Sequence, residues 1–86
     1  MYEVFISHEA EKYYKKADRN TKRRINSCIE ILKENPVYGL HIKRLHGELY
    51  GKYRYAVGNI RIVYEINTKG QTVEIKAIKS RGDIYK

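Results

Sequence analysis

The sequence predicts an α+β domain in which two N-terminal helices pack on one face of a mainly antiparallel four-stranded sheet, in the order β-α-α-β-β-β. Three observations predict this class. The chain begins with an alternating stretch, continues with two segments of helical apolar spacing, and then alternates again around two turn signals. Because the chain has 86 residues, we expect residues 1–86 to form a single domain with one modest core.

The first strand is predicted over Tyr2–Ser7, where residues alternate and β-forming side chains are frequent. Ser7 is a suitable N-cap for a first helix over His8–Ala17. A second helix is predicted to begin at Asn20 or Thr21. It should end at Asn35-Pro36, because the residue before a proline disfavours the helical region. Its apolar stripe consists of Ile25, Cys28, Ile29 and Leu32.

The segment from Val37 to Gly47 is interpreted as a loop, with Leu40, Ile42 and Leu45 as apolar anchors to the core. A central hairpin then covers Leu49–Ile66. Its turn is Gly58-Asn59, because glycine readily takes the positive φ of a two-residue hairpin turn. Apolar pairs should share the core face of this hairpin: Val57 opposite Ile60, Tyr55 opposite Ile62, and Tyr53 opposite Tyr64.

A second turn, Asn67–Gly70, leads into a last strand over Thr72–Ile78. Strict alternation places Val73, Ile75 and Ala77 on one face of that strand. Consecutive hairpins make the last three strands an antiparallel meander, and the first strand can add to one of its edges.

The other face of the central hairpin should carry Lys52, Arg54 and Arg61 close together. Residues opposite or diagonal across a strand pair lie about 4.5–8 Å apart. One interpretation is a phosphate cradle, since arginine offers a planar fork of donors and lysine a point charge. The alternative is a solvated face on which Lys52 pairs with Glu65, and such a pair contributes little stability.

The formal net charge of +8 is unevenly distributed, because residues 36–86 hold ten Lys and Arg against four acidic residues. A basic surface favours nucleic acid or acidic protein partners. No apolar run is long enough to span a membrane, and the first residues do not form a signal peptide. Cys28 is the only cysteine, which is typical of a reducing cytoplasm. We expect no metal site and no cofactor, since His8, His41 and His46 lack ligand spacing.

Further basic residues lie outside the hairpin. Lys79 and Arg81 follow the last strand and could reach the same face, and Tyr85 could stack on a base or touch a ribose hydroxyl. Candidate additional contacts to RNA are Lys43 and Arg44 in the basic loop, and Lys22 and Arg23 at the start of the second helix.

The segment from Asn35 to Ile66 follows the pattern N-P-x-x-G-x-x-x-x-x-L-x-G-x-L-Y-G-x-Y-R-Y-x-V-G-x-x-R-I-V-Y-E-I, and R-G-D-I-Y follows near the end. Together with the element order, this pattern resembles the RelE/ParE superfamily of toxins from type II toxin–antitoxin modules, and it is closer to RelE. The resemblance covers nearly the whole chain.

The resemblance implies a ribosome-dependent endoribonuclease that cleaves messenger RNA through attack of a ribose 2′-hydroxyl on the adjacent phosphate, without a metal. Lys52 would then be the base, with its protonated form disfavoured by the neighbouring arginines. Arg61 would hold the scissile phosphate and Arg54 would stabilise its charge. Arg81 would contact phosphate or support the leaving group, and Tyr85 would orient the substrate.

Three departures from the family pattern keep alternatives open. Arg54 replaces a lysine of RelE, Ala56 replaces an arginine found in many members, and Asn59-Ile60 replaces a more usual polar-aromatic pair. Arg81 matches the C-terminal arginine of the family only within a residue or two, so Lys79 could take its role. One alternative is a ParE-like inhibitor of DNA gyrase, and another is a basic domain that only binds. The implied partners are a cognate antitoxin, which would order on binding, and the ribosome with messenger RNA in its decoding site. No membrane partner is expected.

Overall fold

The computed structural model describes residues 1–80 of the chain. Strands predominate after the helices, and a short 3₁₀ turn at Gly47–Leu49 precedes the central hairpin. Within the described residues the elements are β1 (Glu3–Ile6), α1 (His8–Lys16), α2 (Arg19–Glu34), β2 (Ile42–Arg44), β3 (Tyr53–Val57), β4 (Ile60–Asn67) and β5 (Thr72–Ser80).

These strands form one mixed sheet in the order β1-β5-β4-β3-β2. β1 runs parallel to β5, and the other neighbours are antiparallel. The predicted α+β class is therefore confirmed, but the sheet has five strands within residues 1–80, where the sequence predicted four. The additional strand is β2, which pairs with β3 inside the segment interpreted as a loop.

The apolar anchors of that segment were only partly right. Ile42 packs against the core, as predicted. Leu40 does not, since it is 95% exposed. Leu40 lies two residues before β2, and the backbone next to it is held by a hydrogen bond of 3.0 Å from the Ala56 N–H to the His41 carbonyl rather than by this side chain.

The register of the central hairpin is confirmed. Val57 lies opposite Ile60, Tyr55 opposite Ile62 and Tyr53 opposite Tyr64. Gly58 has a φ of 58°, which is the left-handed conformation that the turn requires.

The helices cover the face of the sheet to which these apolar residues point. The core joins the α2 stripe of Ile25, Cys28 and Leu32 to buried residues of β3, β4 and β5. Tyr64 is fully buried there, and its hydroxyl donates a hydrogen bond of 2.7 Å to the carbonyl oxygen of Pro36. This bond ties the chain directly after α2 to the middle of the sheet.

The alternation of β5 is broken by one extra residue, Lys76. Val63 lies opposite Ala77 while Tyr64 lies opposite Ile75, so Lys76 has no partner of its own. A β-bulge of this kind reverses the alternation beyond it. The prediction that Ala77 shares the face of Val73 and Ile75 is therefore wrong, and Ile78 is the buried residue instead.

Ser7 connects this bulge to α1. Its hydroxyl donates to the carbonyl oxygen of Lys76 at 2.8 Å, and the Ser7 hydroxyl oxygen accepts the backbone N–H of Ala10 at 3.1 Å. One hydroxyl thus caps the helix and satisfies the carbonyl of the bulged residue.

Replacing Ser7 with alanine removes both hydrogen bonds. We expect Ser7→Ala to lower the free energy of unfolding by about 1–3 kcal/mol, measured by urea denaturation. Ser7→Thr keeps the hydroxyl and should recover most of the loss. Asp18→Ala is the matched control, because Asp18 caps α2 through Thr21 and bonds to no strand. An equal loss in Ser7→Ala and Asp18→Ala would contradict the double role of Ser7.

Burial raises the pKa of the Cys28 thiol to about 12 from an ordinary 9.0. Below pH 9 the thiol is protonated in both the folded and the unfolded chain, so it does not affect stability. Between pH 9 and 12 the unfolded chain releases this proton while the folded chain retains it. Stability should therefore fall as the pH rises, by up to about 1.4 kcal/mol per pH unit from this group.

Urea denaturation of the wild type and of Cys28→Ala across this pH range isolates the contribution. We expect the wild type to lose stability more steeply with pH than the variant, whatever the offset between them. Parallel pH dependences would contradict the assignment.

Candidate functional site

The sheet face opposite the helices, here called the open face, carries most of the predicted cations. Arg54 and Arg61 are diagonal neighbours on β3 and β4, because Arg54 lies opposite Val63 and Arg61 lies opposite Ala56. On β5, the other neighbour of β4, Lys79 lies opposite Arg61 and shares its face. Lys43 of β2 lies opposite Arg54 and shares its face.

The bulge in β5 puts Lys79 on this face. Strict alternation from Val73 and Ile75 would point residue 79 toward the helices, and the extra residue Lys76 reverses that direction. The sequence pattern alone does not mark this reversal, because Val73, Ile75, Ala77 and Ile78 are all apolar and no glycine lies among them.

Lys52 and Lys76 of the open face form ion pairs with glutamates. Nζ of Lys52 lies 4.0 Å from Oε2 of Glu65, and Nζ of Lys76 lies 3.6 Å from the same oxygen. Lys76 also bonds to Glu74, and this hydrogen bond is the main reason that the pKa of Lys76 is raised. Because Glu65 and Glu74 face each other across the strands, Lys76 offsets the repulsion between them.

Lys79 pairs with an acidic residue from the helix layer. Its Nζ lies 3.0 Å from Oε1 of Glu9, in the first turn of α1. Alternation and helical spacing did not predict this pair, because Glu9 and Lys79 are far apart in the sequence.

Arg61 is held by the hairpin turn. Its Nη1 donates to the carbonyl oxygens of Gly58 at 2.9 Å and Ile60 at 3.0 Å. Its Nε is buried and has no hydrogen-bond partner within residues 1–80. The turn therefore fixes Nη1 of the guanidinium and leaves Nη2 as a donor for a ligand.

Between these charges the open face has an apolar floor. A depression of about 270 Å³ is lined by Leu49, Val63 and Ala77, with lysines and Glu9 around it. Val63 is buried although it lies on the helix-free side of the sheet. Cations around an apolar floor can hold phosphate groups while sugar or base carbons rest on the sheet.

Other predicted site residues lie elsewhere. Arg44 is on the opposite face from Lys43, with its guanidinium carbon 5.8 Å from the centre of the Tyr53 ring. It lines a cleft of about 180 Å³ together with His46 and Tyr50, which sequence analysis did not anticipate. Lys22 and Arg23 lie on α2. Arg81 and Tyr85 are outside the described residues.

Within residues 1–80, no group of three or more histidine, cysteine or acidic side chains is placed to hold a metal ion. No helix in this part of the chain is both long and apolar enough to cross a membrane.

Several solved structures share this fold. The toxin–antitoxin complex RelBE2 from Mycobacterium tuberculosis matches with a TM-score of 0.83 and 23% identity, covering 93% of this chain and 98% of that chain. The archaeal RelE–RelB complex from Pyrococcus horikoshii OT3 gives 0.82 and 28%, covering 95% and 97%. The RelB–RelE complex from Methanococcus jannaschii gives 0.74 and 28%, covering 95% of each chain.

A search of curated protein sequences found no match to this chain. A family model does match, and it is described as the ParE toxin of the type II toxin–antitoxin system parDE. The match extends over residues 4–85 and so includes both helices and all of the described strands except the first residue of β1. The chain therefore belongs to the ParE toxin family of type II toxin–antitoxin systems, within the RelE/ParE superfamily.

Proposed function

We propose that this chain is an endoribonuclease toxin that cleaves messenger RNA in the ribosomal decoding site and is held inactive by a cognate antitoxin. The observation that carries the proposal is the open face, where Arg54 and Arg61 are diagonal neighbours on a rigid sheet and Lys52 and Lys79 line an apolar floor. The similarity to RelE proteins at 28% identity supports the RNA-cleaving member of the superfamily.

The reaction is a transfer of the phosphate within the RNA strand. The ribose 2′-oxygen bonds to the adjacent phosphorus, the bond to the 5′-oxygen breaks, and the 2′-hydroxyl proton leaves as the 5′-oxygen gains one. The products are a 2′,3′-cyclic phosphate and a 5′-hydroxyl. The enzyme must accept and donate protons and stabilise the charge on the crowded phosphorus.

The arginines suit the stabilisation of charge. Arg61 is pre-positioned by its bonds to the hairpin turn, so little side-chain freedom is lost when its remaining donors bind a phosphate. Arg54 is its diagonal neighbour and would bind a second oxygen of the same phosphate. Arg81 and Tyr85 keep the roles that the resemblance implies.

Lys52 is the candidate for proton transfer. Its Nζ lies 4.0 Å from Oε2 of Glu65 and so forms an ion pair in the absence of RNA. A phosphate bound on the open face would compete with Glu65 for Lys52. Exposed ion pairs contribute about 0–1 kcal/mol, so this exchange is not costly.

The test is to add the protein to a translating extract and to map message ends by primer extension. We expect cuts in phase with codons. Arg61→Ala should reduce cleavage about 100-fold or more, because it removes a donor to the developing charge. Lys33→Ala is the control, since Lys33 lies near the start of β1 and pairs only with Glu30 on its own helix. Its cleavage should equal that of the wild type.

Two outcomes would contradict this proposal. Absence of codon-phased cuts while translation continues would exclude the activity. Unchanged turnover in Arg61→Ala, with weaker binding and a smaller salt dependence, would indicate a domain that only binds RNA. A thermal melt of each variant separates these results from unfolding.

Inhibition of DNA gyrase is the second candidate. It is favoured by the family model, which is described for a ParE toxin. It is also favoured by Ala56, because this residue leaves the β3 position opposite Arg61 without a cation. A supercoiling assay distinguishes the two functions. Gyrase inhibition by the wild type without message cleavage would favour this alternative.

A further inference from the structure

A second basic surface lies on the helical side of the molecule. A groove of about 450 Å³ runs between α1 and the beginning of α2, and it is not part of the open face. We call it the helical groove; it is lined by Tyr14, Arg19, Lys22, Arg23 and Asn26.

The cations of the helical groove differ in one respect from the three lysines at the apolar floor of the open face. Those lysines, Lys52, Lys76 and Lys79, are all paired with glutamates. Arg19, Lys22 and Arg23 form no ion pair with any residue of 1–80. Their positive charge is therefore not neutralised by the described part of the chain, and it is available to an anion.

The spacing of these residues suits a row of phosphates. The residues of α2 occupy positions i, i+3, i+4 and i+7, which is one stripe of the helix about 10 Å long. Two of the three cations are arginines, which bind phosphate oxygens with a fork of donors. The oxygen of Asn26 accepts the Tyr14 hydroxyl at 3.0 Å, which leaves its amide N–H groups as further donors.

The composition of the groove favours RNA over a protein partner. None of the large apolar side chains that are strongly exposed within residues 1–80 lines it. Protein interfaces have an apolar core, whereas nucleic-acid interfaces are more polar and more positive. Base stacking is also disfavoured, because Nζ of Lys22 lies 5.6 Å from the centre of the Tyr14 ring, the only aromatic ring that lines the groove.

Arg24 extends the basic surface toward the open face. A Cβ built on Gly58 would lie 2.8 Å from Nη1 of Arg24, so this guanidinium rests on the hairpin turn. The same turn accepts the Arg61 side chain through the carbonyl of Gly58. Arginines from α2 and from β4 therefore meet at one turn.

We propose that the helical groove binds the phosphate backbone of double-helical RNA as a second contact, separate from the open face. The choice of RNA as the polyanion rests on the proposed function. Double-helical RNA is favoured over a single strand because the groove offers cations without a free stacking platform, and because duplexes are recognised by shape and backbone contacts.

The test is fluorescence anisotropy with a labelled RNA duplex of about 16 base pairs at several salt concentrations. The variant is Lys22→Ala/Arg23→Ala in the full chain. The matched control is Lys33→Ala/Lys69→Ala, which removes the same formal charge at the other end of the molecule. Both lysines lie near the start of β1, since the Tyr2 N–H donates to the carbonyl of Lys33 and the Glu3 N–H donates to the carbonyl of Gln71.

We expect the groove variant to bind the duplex about tenfold more weakly near physiological salt, and to lower the salt slope by about 1.5–2. The control should change affinity less than about twofold. Equal weakening in both variants would reduce the effect to net charge and overturn the proposal. Unchanged duplex binding in the groove variant, with loss of binding to a polyglutamate peptide, would assign the groove to an acidic protein and also overturn it.

Message cleavage is measured in parallel on the same variants. A wild type that binds the duplex through the groove but never cuts messages would refute the nuclease and leave the groove assignment intact. A groove variant that binds the duplex normally would refute the groove whatever its cleavage activity.

Discussion

The bulge at Lys76 decides what the open face contains. A strand that alternates without interruption from Val73 would direct Lys79 into the core, where an unpaired ammonium group cannot be buried. The extra residue sends Ile78 to the core instead and places Ala77 and Lys79 on the side with Arg61. The Ser7 hydroxyl accepts a helix N–H and donates to the Lys76 carbonyl, so helix α1 and this irregularity stabilise each other.

The parts of this fold that sequence could predict are those that local chemistry determines. Gly58-Asn59 sets the hairpin register, and a period of two then assigns every residue of β3 and β4 to a face. The bulge could not be predicted in this way, because one extra residue breaks the period without a glycine to mark it. β2 has only three residues, and its pairing depends on a partner some ten residues away. The exposure of Leu40 could not be predicted either, because apolar residues in loops are often exposed.

For the candidate site, the sequence predicted which cations share a face, but beyond the alternative pair of Lys52 with Glu65 it did not predict which carboxylates pair with them. Lys52, Arg54 and Arg61 were assigned to one face from alternation alone. Their carboxylate partners were harder to foresee, since Glu9 comes from α1 and Glu65 is shared between Lys52 and Lys76. These pairs neutralise part of the positive charge of the open face. An incoming phosphate exchanges one set of weak surface ion pairs for another, so binding depends on the arginines, whose donors are arranged for phosphate oxygens.

The division of charge follows from the single core of a small domain. α2 directs Ile25, Cys28 and Leu32 inward, and the same helical period directs Arg19, Lys22 and Arg23 outward at its beginning. The sheet repeats this arrangement with its own period of two. Both layers thus expose cations on the side away from the core, and the hairpin turn, with Arg24 on one side and Arg61 on the other, is the point where these two surfaces come together. A polyanion as large as a folded RNA can contact both surfaces, whereas a single phosphate can contact only one.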